Sequence, residues 1–191
     1  MSSVYVLGNA SLDISLRVPR LPMPGETLMA SGIVRAPGGK GLNQAVVVAR
    51  ADVPTHFCAA IGNEPEAEMI WSALAAEHLS GLQLFDGGRP TDVSTLLVDP
   101  AGENCIISTG DCADALSVGV AEDFCAGMRR DDILLVQGNL TEPATFAAAL
   151  ARRLPLGRAV EVAQYAAALT VERQGCFAAL PAREELAAIL G

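Results

Sequence analysis

The stretch Asp131-Asp132-Ile133-Leu134-Leu135-Val136 most constrains how this chain can fold. Four consecutive aliphatic residues give a strand without a polar face, so both of its sides must be covered. Val4–Leu7 and Thr55–Ala60 read as two more strands of this kind. Between and after them the pattern changes to helix: an apolar one over Leu42–Arg50, an amphipathic one over Glu64–Leu79 and another over Val118–Met128. Strands that alternate with helices predict an α/β class with a parallel sheet. Three core strands are few for such a sheet.

Other segments predict a second, antiparallel piece. Ser11–Val18 alternates Leu12, Ile14, Leu16 and Val18 with Ser11, Asp13, Ser15 and Arg17, the mark of a half-exposed strand. Glu26–Arg35 reads as extended. Thr91–Val98 and Asn104–Ser108 flank the turn-forming Asp99–Glu103. From about residue 142 onward only helices are expected, over Glu142–Leu154, Arg158–Arg173 and Pro181–Leu190.

A chain of 191 residues, 51% of them hydrophobic, can bury one sizeable core. Its formal charge of −9 argues against nucleic-acid and anionic-membrane partners, and no run of Lys or Arg makes a local exception. No stretch approaches 18 uninterrupted apolar residues, so no membrane span is expected. The five cysteines include no Cys-x-x-Cys spacing, and His56 and His78 form no metal pattern with them. A reduced, cytoplasmic chain without a signal peptide is the expectation.

The stretch Ala36-Pro37-Gly38-Gly39-Lys40-Gly41-Leu42-Asn43-Gln44-Ala45 invites a phosphate-loop reading. Its spacing refuses it. The first glycine of such a loop would fall at Val34, and the hydroxyl that holds Mg²⁺ would fall at Gly41. What remains is a glycine turn that lets backbone approach a ligand, followed by a helix with unpaired first-turn amides. Lys40 and Asn43 project from that turn. The alternatives are a site for a small hydroxylated molecule or an ordinary tight turn.

Several ordered motifs together resemble the ribokinase-like carbohydrate kinases. They are Gly8-Asn9-Ala10-Ser11-Leu12-Asp13, Pro24-Gly25-Glu26-Thr27, Gly38-Gly39-Lys40-Gly41-Leu42-Asn43-Gln44-Ala45 and Ile61-Gly62-Asn63-Glu64. The likeness runs through residues 4–140 and resumes over Arg158–Pro181. It implies an incomplete Rossmann-like parallel sheet with a small antiparallel β lid, whose strands lie near 12–18, 26–35, 91–98 and 104–109. The family's sugar lies between sheet and lid, and its lids often pair between subunits, so a homo-oligomer through lid strands or the exposed sheet edge is expected. By the same resemblance Asp13, Gly38, Gly39, Lys40, Asn43 and Asn139 would bind the sugar. Asn139 stands where ribose kinases place an acid, which leaves the identity of the sugar open.

The resemblance further implies ATP and Mg²⁺ as cofactors and phosphoryl transfer to a sugar hydroxyl as the reaction. Family members use a late Gly-Ala-Gly-Asp motif whose amides hold developing charge and whose Asp is the general base. That motif does not occur in these residues; Ser108-Thr109-Gly110-Asp111 reads as a lid-to-core turn instead. The expectation is a single ribokinase-like domain with an internal deletion, its junction near residues 145–153. Such a chain would hold the sugar without binding ATP productively. The alternative is a non-catalytic sugar-binding or dimerisation module.

Overall fold

A computed structural model describes residues 2–137 together with residues 182 and 184. The helices expected over 142–154, 158–173 and 181–190, the junction near 145–153, and Asn139 lie outside the described residues, save for those two single positions.

The chain builds two four-stranded sheets. The core sheet contains β1 (Val4–Leu7), β4 (Thr55–Ile61), β5 (Gly81–Asp86) and β8 (Ile133–Val136), all parallel, in the order β5-β4-β1-β8. The lid sheet contains β2 (Ser11–Arg17), β3 (Gly32–Gly38), β6 (Asp92–Val98) and β7 (Asn104–Ser108), in the order β3-β2-β6-β7. Its central pair β2–β6 is parallel, and the outer pairs are antiparallel. Helices α1 (Lys40–Arg50), α2 (Pro65–Ala75) and α3 (Val118–Ala126) complete the described elements, with a 3-10 turn over Ala113–Ala115.

The apolar strands are covered on both faces, as their composition requires. Val4 and Val6 of β1 join Phe57, Ala59 and Ile61 of β4 against Leu42, Ala45 and Val46 of α1 and Ile70 and Leu74 of α2. On the opposite face Tyr5, Leu7 and Cys58 pack with Leu116 and with Ala121, Phe124 and Cys125 of α3. Asp132, just before β8, is buried because its carboxylate accepts from the backbone amides of Ser3 (2.8 Å) and Arg129 (2.7 Å). One of the two acids ahead of the aliphatic run thus ties β8 to the start of β1.

Four expectations need correction. The core sheet has four described strands rather than three, because β5 lies at its edge. Gly81–Asp86 is half-buried and carries Gln83 and Asp86 among its apolar residues, so it lacks the wholly apolar run that marks β1 and β8. The extended segment placed at 26–35 is instead a strand over Gly32–Gly38. Residues 20–31 form a loop closed by a forked pair between Arg20 and Glu26 and by the Ser31 amide donating to the Arg17 carbonyl (2.8 Å). Helix α2 stops at Ala75, four residues early: Glu77 receives Arg50 through two hydrogen bonds of 3.0 and 2.6 Å, and Ser80 bonds back to Thr55. The lid is mixed rather than purely antiparallel.

Polar fastenings join lid to core. The Gly62 amide donates to Thr91 Oγ1 (2.9 Å), and the Thr91 amide donates to Glu64 Oε1 (2.8 Å). The buried carboxylate of Asp92 accepts from Thr109 Oγ1 and from the amides of Cys112 and Ala113, at 2.9 to 3.2 Å. Thr109–Asp111 is therefore the return from lid to core, and Asp111 is exposed on it.

Candidate functional site

The seam between the sheets carries the glycine loop. Strand β3 runs through Gly38, Gly39 caps α1, and Lys40 is the first helical residue. Gly39 has φ +99°, a conformation that a side chain strains. A Cβ built there would also lie 2.8 Å from the Asn9 carbonyl oxygen. Gly41 sits against the end of β1: a Cβ on it would meet Gly8 Cα at 2.6 Å. The sequence chooses glycine at these positions because two backbones touch.

The first turn of α1 is not an open anion cradle. Asn9, just past β1, takes the Gly41 amide on its side-chain oxygen (3.2 Å) and the Leu42 amide on its carbonyl (3.0 Å). The Asn43 amide donates to the Gly39 carbonyl (2.9 Å). The unpaired amides expected at this helix start are thus largely occupied. This agrees with the spacing argument against a phosphate loop.

Asp13 reaches the same seam from β2. It is buried, and Ser11 Oγ donates to its Oδ1 at 3.2 Å. Its carboxyl group fills the space where a Cβ of Gly38 would stand. So Asp13, Gly38 and Gly39 form one continuous surface. Asn43 lies one turn into α1, and its side-chain oxygen is buried with no hydrogen-bond partner. The side-chain oxygen of Gln44 is in the same state. A buried acceptor left without a donor costs about 1–3 kcal/mol. Lys40 is exposed at the loop.

The structure thus brings Asp13 onto Gly38 and places Gly39, Lys40 and Asn43 in the adjoining turn. Sequence reasoning missed three residues here. Asn9 closes the helix start, Ser11 holds Asp13, and Gln44 presents a second orphaned oxygen. The strand alternation that puts Ser11 and Asp13 on one face was the available signal for Ser11; Asn9 and Gln44 lie within the quoted motifs, which do not by themselves give the hydrogen-bonding state of either.

Comparison with known proteins adds the lineage. Residues 1–132 match the pfkB family carbohydrate kinases. The ribokinase of Haemophilus influenzae is 31% identical over 136 residues, 71% of this chain and 44% of that protein. The Arabidopsis thaliana ribokinase solved with ribose and ATP is 27% identical and superimposes with a TM-score of 0.61, over 79% of this chain and 50% of that one. The Cryptococcus neoformans ribokinase solved with ADP is 26% identical, with a TM-score of 0.65 over 79% of this chain and 47% of that one. The chain spans less than half the length of the curated relatives it matches, from 28% to 48% among the first four. With its two-sheet fold and the glycine loop at their seam, this chain belongs to the pfkB family of carbohydrate kinases.

Proposed function

We propose that this chain binds a ribose- or fructose-like sugar at the seam of its two sheets and does not by itself transfer phosphate to it. The observation that carries the sugar reading is the Asp13 carboxylate pressed onto Gly38, beside a buried Asn43 oxygen that lacks a donor. A carboxylate accepts hydroxyl hydrogens at two oxygens, and a carboxamide both donates and accepts. Gly38 and Gly39 let the sugar lie close to the backbone. Lys40 adds a mobile cation at the rim. Asn139 is the proposed further contact, following β8. The ribose bound by the Arabidopsis relative supports this ligand class.

The ATP that such a kinase uses supplies the phosphoryl group, with Mg²⁺ screening its charge. Asn9 already holds the first amides of α1, so that turn offers the ATP phosphates no open cradle. Lack of a Gly-Ala-Gly-Asp segment anywhere in the 191 residues supports the same reading. A missing general base alone costs about 10²–10⁴ in rate.

Incubation of the purified chain with ATP, Mg²⁺ and ribose or fructose, followed by phosphorus NMR, tests the deficiency. The expected spectrum shows no sugar phosphate. A sugar-phosphate resonance that grows with protein concentration contradicts it.

A second reading, self-association through the lid, rests on its outer strands. Ile33 and Val34 of β3 and Ile106 and Ile107 of β7 are 50 to 68% exposed. Edge strands with exposed aliphatics are ready to pair with another copy.

A further inference from the structure

Helix α2 and the edge strand β5 enclose a groove of about 630 Å³, the size of a small-molecule site. It opens at the carboxyl ends of β4 and β5, the end of a parallel sheet at which ligands bind. Its apolar surface comes from Leu84 and Phe85 of β5 and from Trp71 of α2. Trp71 is 46% exposed, so a large aromatic side chain is left open beside a concave surface.

Three carboxylates stand at this aromatic surface. Glu64 and Glu68 are four residues apart, and Glu68 and Trp71 three, so all three follow one side of α2. Acids at a helix start oppose its positive end, which accounts for Glu64 and Glu68. It does not account for Asp86, which enters the groove from the end of β5. None of the described residues lining the groove is basic, and none of the three carboxylates forms an ion pair among the described residues. An aromatic surface beside uncompensated negative charge is complementary to one kind of ligand, a cation with an apolar body.

We infer that this groove binds a small organic cation, an ammonium or guanidinium group carried on an apolar body. The charged end sits among Glu64, Glu68 and Asp86, and the body lies on Trp71 and Phe85. Attraction of the cation to the face of Trp71 is worth about two- to fivefold in affinity at an exposed site. Each exposed carboxylate adds a similar factor. A neutral or anionic analogue gains neither. Neither Asp13 nor the glycine loop lines the groove, so the inference is independent of the sugar reading. Gly62 and Glu64 do line it, and they fasten Thr91 of the lid to the core. The occupant therefore sits at the junction of lid and core.

Trp71 is the only tryptophan of the 191 residues, so its fluorescence reports this groove. The test titrates the full chain, at low ionic strength, with phenethylammonium, with its neutral analogue 2-phenylethanol and with its anionic analogue phenylacetate. The expected result is a saturable change with phenethylammonium, with 2-phenylethanol bound about 5- to 20-fold more weakly and phenylacetate more weakly still. The double variant Glu68→Gln, Asp86→Asn should cut the preference for the ammonium over the alcohol about fivefold. No saturable change with phenethylammonium overturns the inference. So does binding of the alcohol or of phenylacetate as tight as that of the ammonium, or a preference in the double variant within about twofold of the wild-type value. Should the double variant fail to fold, the three ligands on the wild type still decide.

Discussion

The core sheet and the lid sheet have four described strands each, and they are held together differently. In the core, Val6, Leu7, Phe57 and Cys58 are wholly buried between helices on two faces. In the lid, Ile107 is 68% and Val34 60% exposed, and the sheet is secured by its ladders and by Thr91, Glu64 and Asp92. Apolar burial on two faces holds the core strands, while the outer strands of the lid are exposed. A ligand site gains from both conditions, and the Asp13 loop lies where they meet.

The contrast can be broken most strongly from inside the core. Phe57→Ala should destabilise the chain by about 3–5 kcal/mol, whereas Ile107→Ala should change unfolding by less than about 0.5 kcal/mol, as read by denaturant titration. Equal costs would mean that the lid carries as much of the folding energy as the core. Thr91→Val removes the acceptor for the buried Gly62 amide and should cost about 1–3 kcal/mol. Limited proteolysis should then cut the lid before the core.

Gly39→Ala sharpens the comparison at the seam. The left-handed backbone alone costs an alanine about 1–2 kcal/mol, and its methyl meets Asn9 and Ala10. Ribose binding should fall with stability in this variant. In Ile107→Asp, by contrast, stability and binding should persist while light scattering reports weaker self-association.

The smallest effect concerns the lid loop. Glu26 is held down at about 2 by the hydrogen bond from Arg20 and then by the Met23 amide, against an ordinary 4.5. A depressed carboxyl stabilises the fold above about pH 4.5 and loses that contribution as pH falls through about 2. The pair is exposed, so Glu26→Gln should flatten the acid limb of the stability profile only slightly. Thiol labelling gives a separate check. Burial and then the neighbouring Cys125 push Cys58 up to about 12, so at pH 8 it should stay unlabelled while exposed Cys105 reacts.

Legibility in the sequence followed the same division. The aliphatic runs of β1 and β8 announced a parallel sheet, and they pair in one, with β1 buried on both faces and β8 half-buried at its edge. Strand β5 was hidden because Leu82, Gln83, Leu84 and Phe85 carry a mixed edge pattern directly after a helix. The limits of β3 were hidden because long-range pairing with β2, rather than local propensity, decides where an edge strand runs. At the site, the glycines of 38–41 were legible because close backbone contact admits no other residue. The contact of Asp13 with Gly38 was not, since it depends on the pairing of β2 with β3 about 25 residues further on.

The proposed sugar site stands or falls with the Asp13 carboxylate. Calorimetric titration of D-ribose into the full chain and into its Asp13→Ala variant tests it most directly. Losing a charged acceptor should weaken binding about 10- to 100-fold with little change in melting temperature. Equal ribose affinity in the two proteins, or no binding by either, would contradict it.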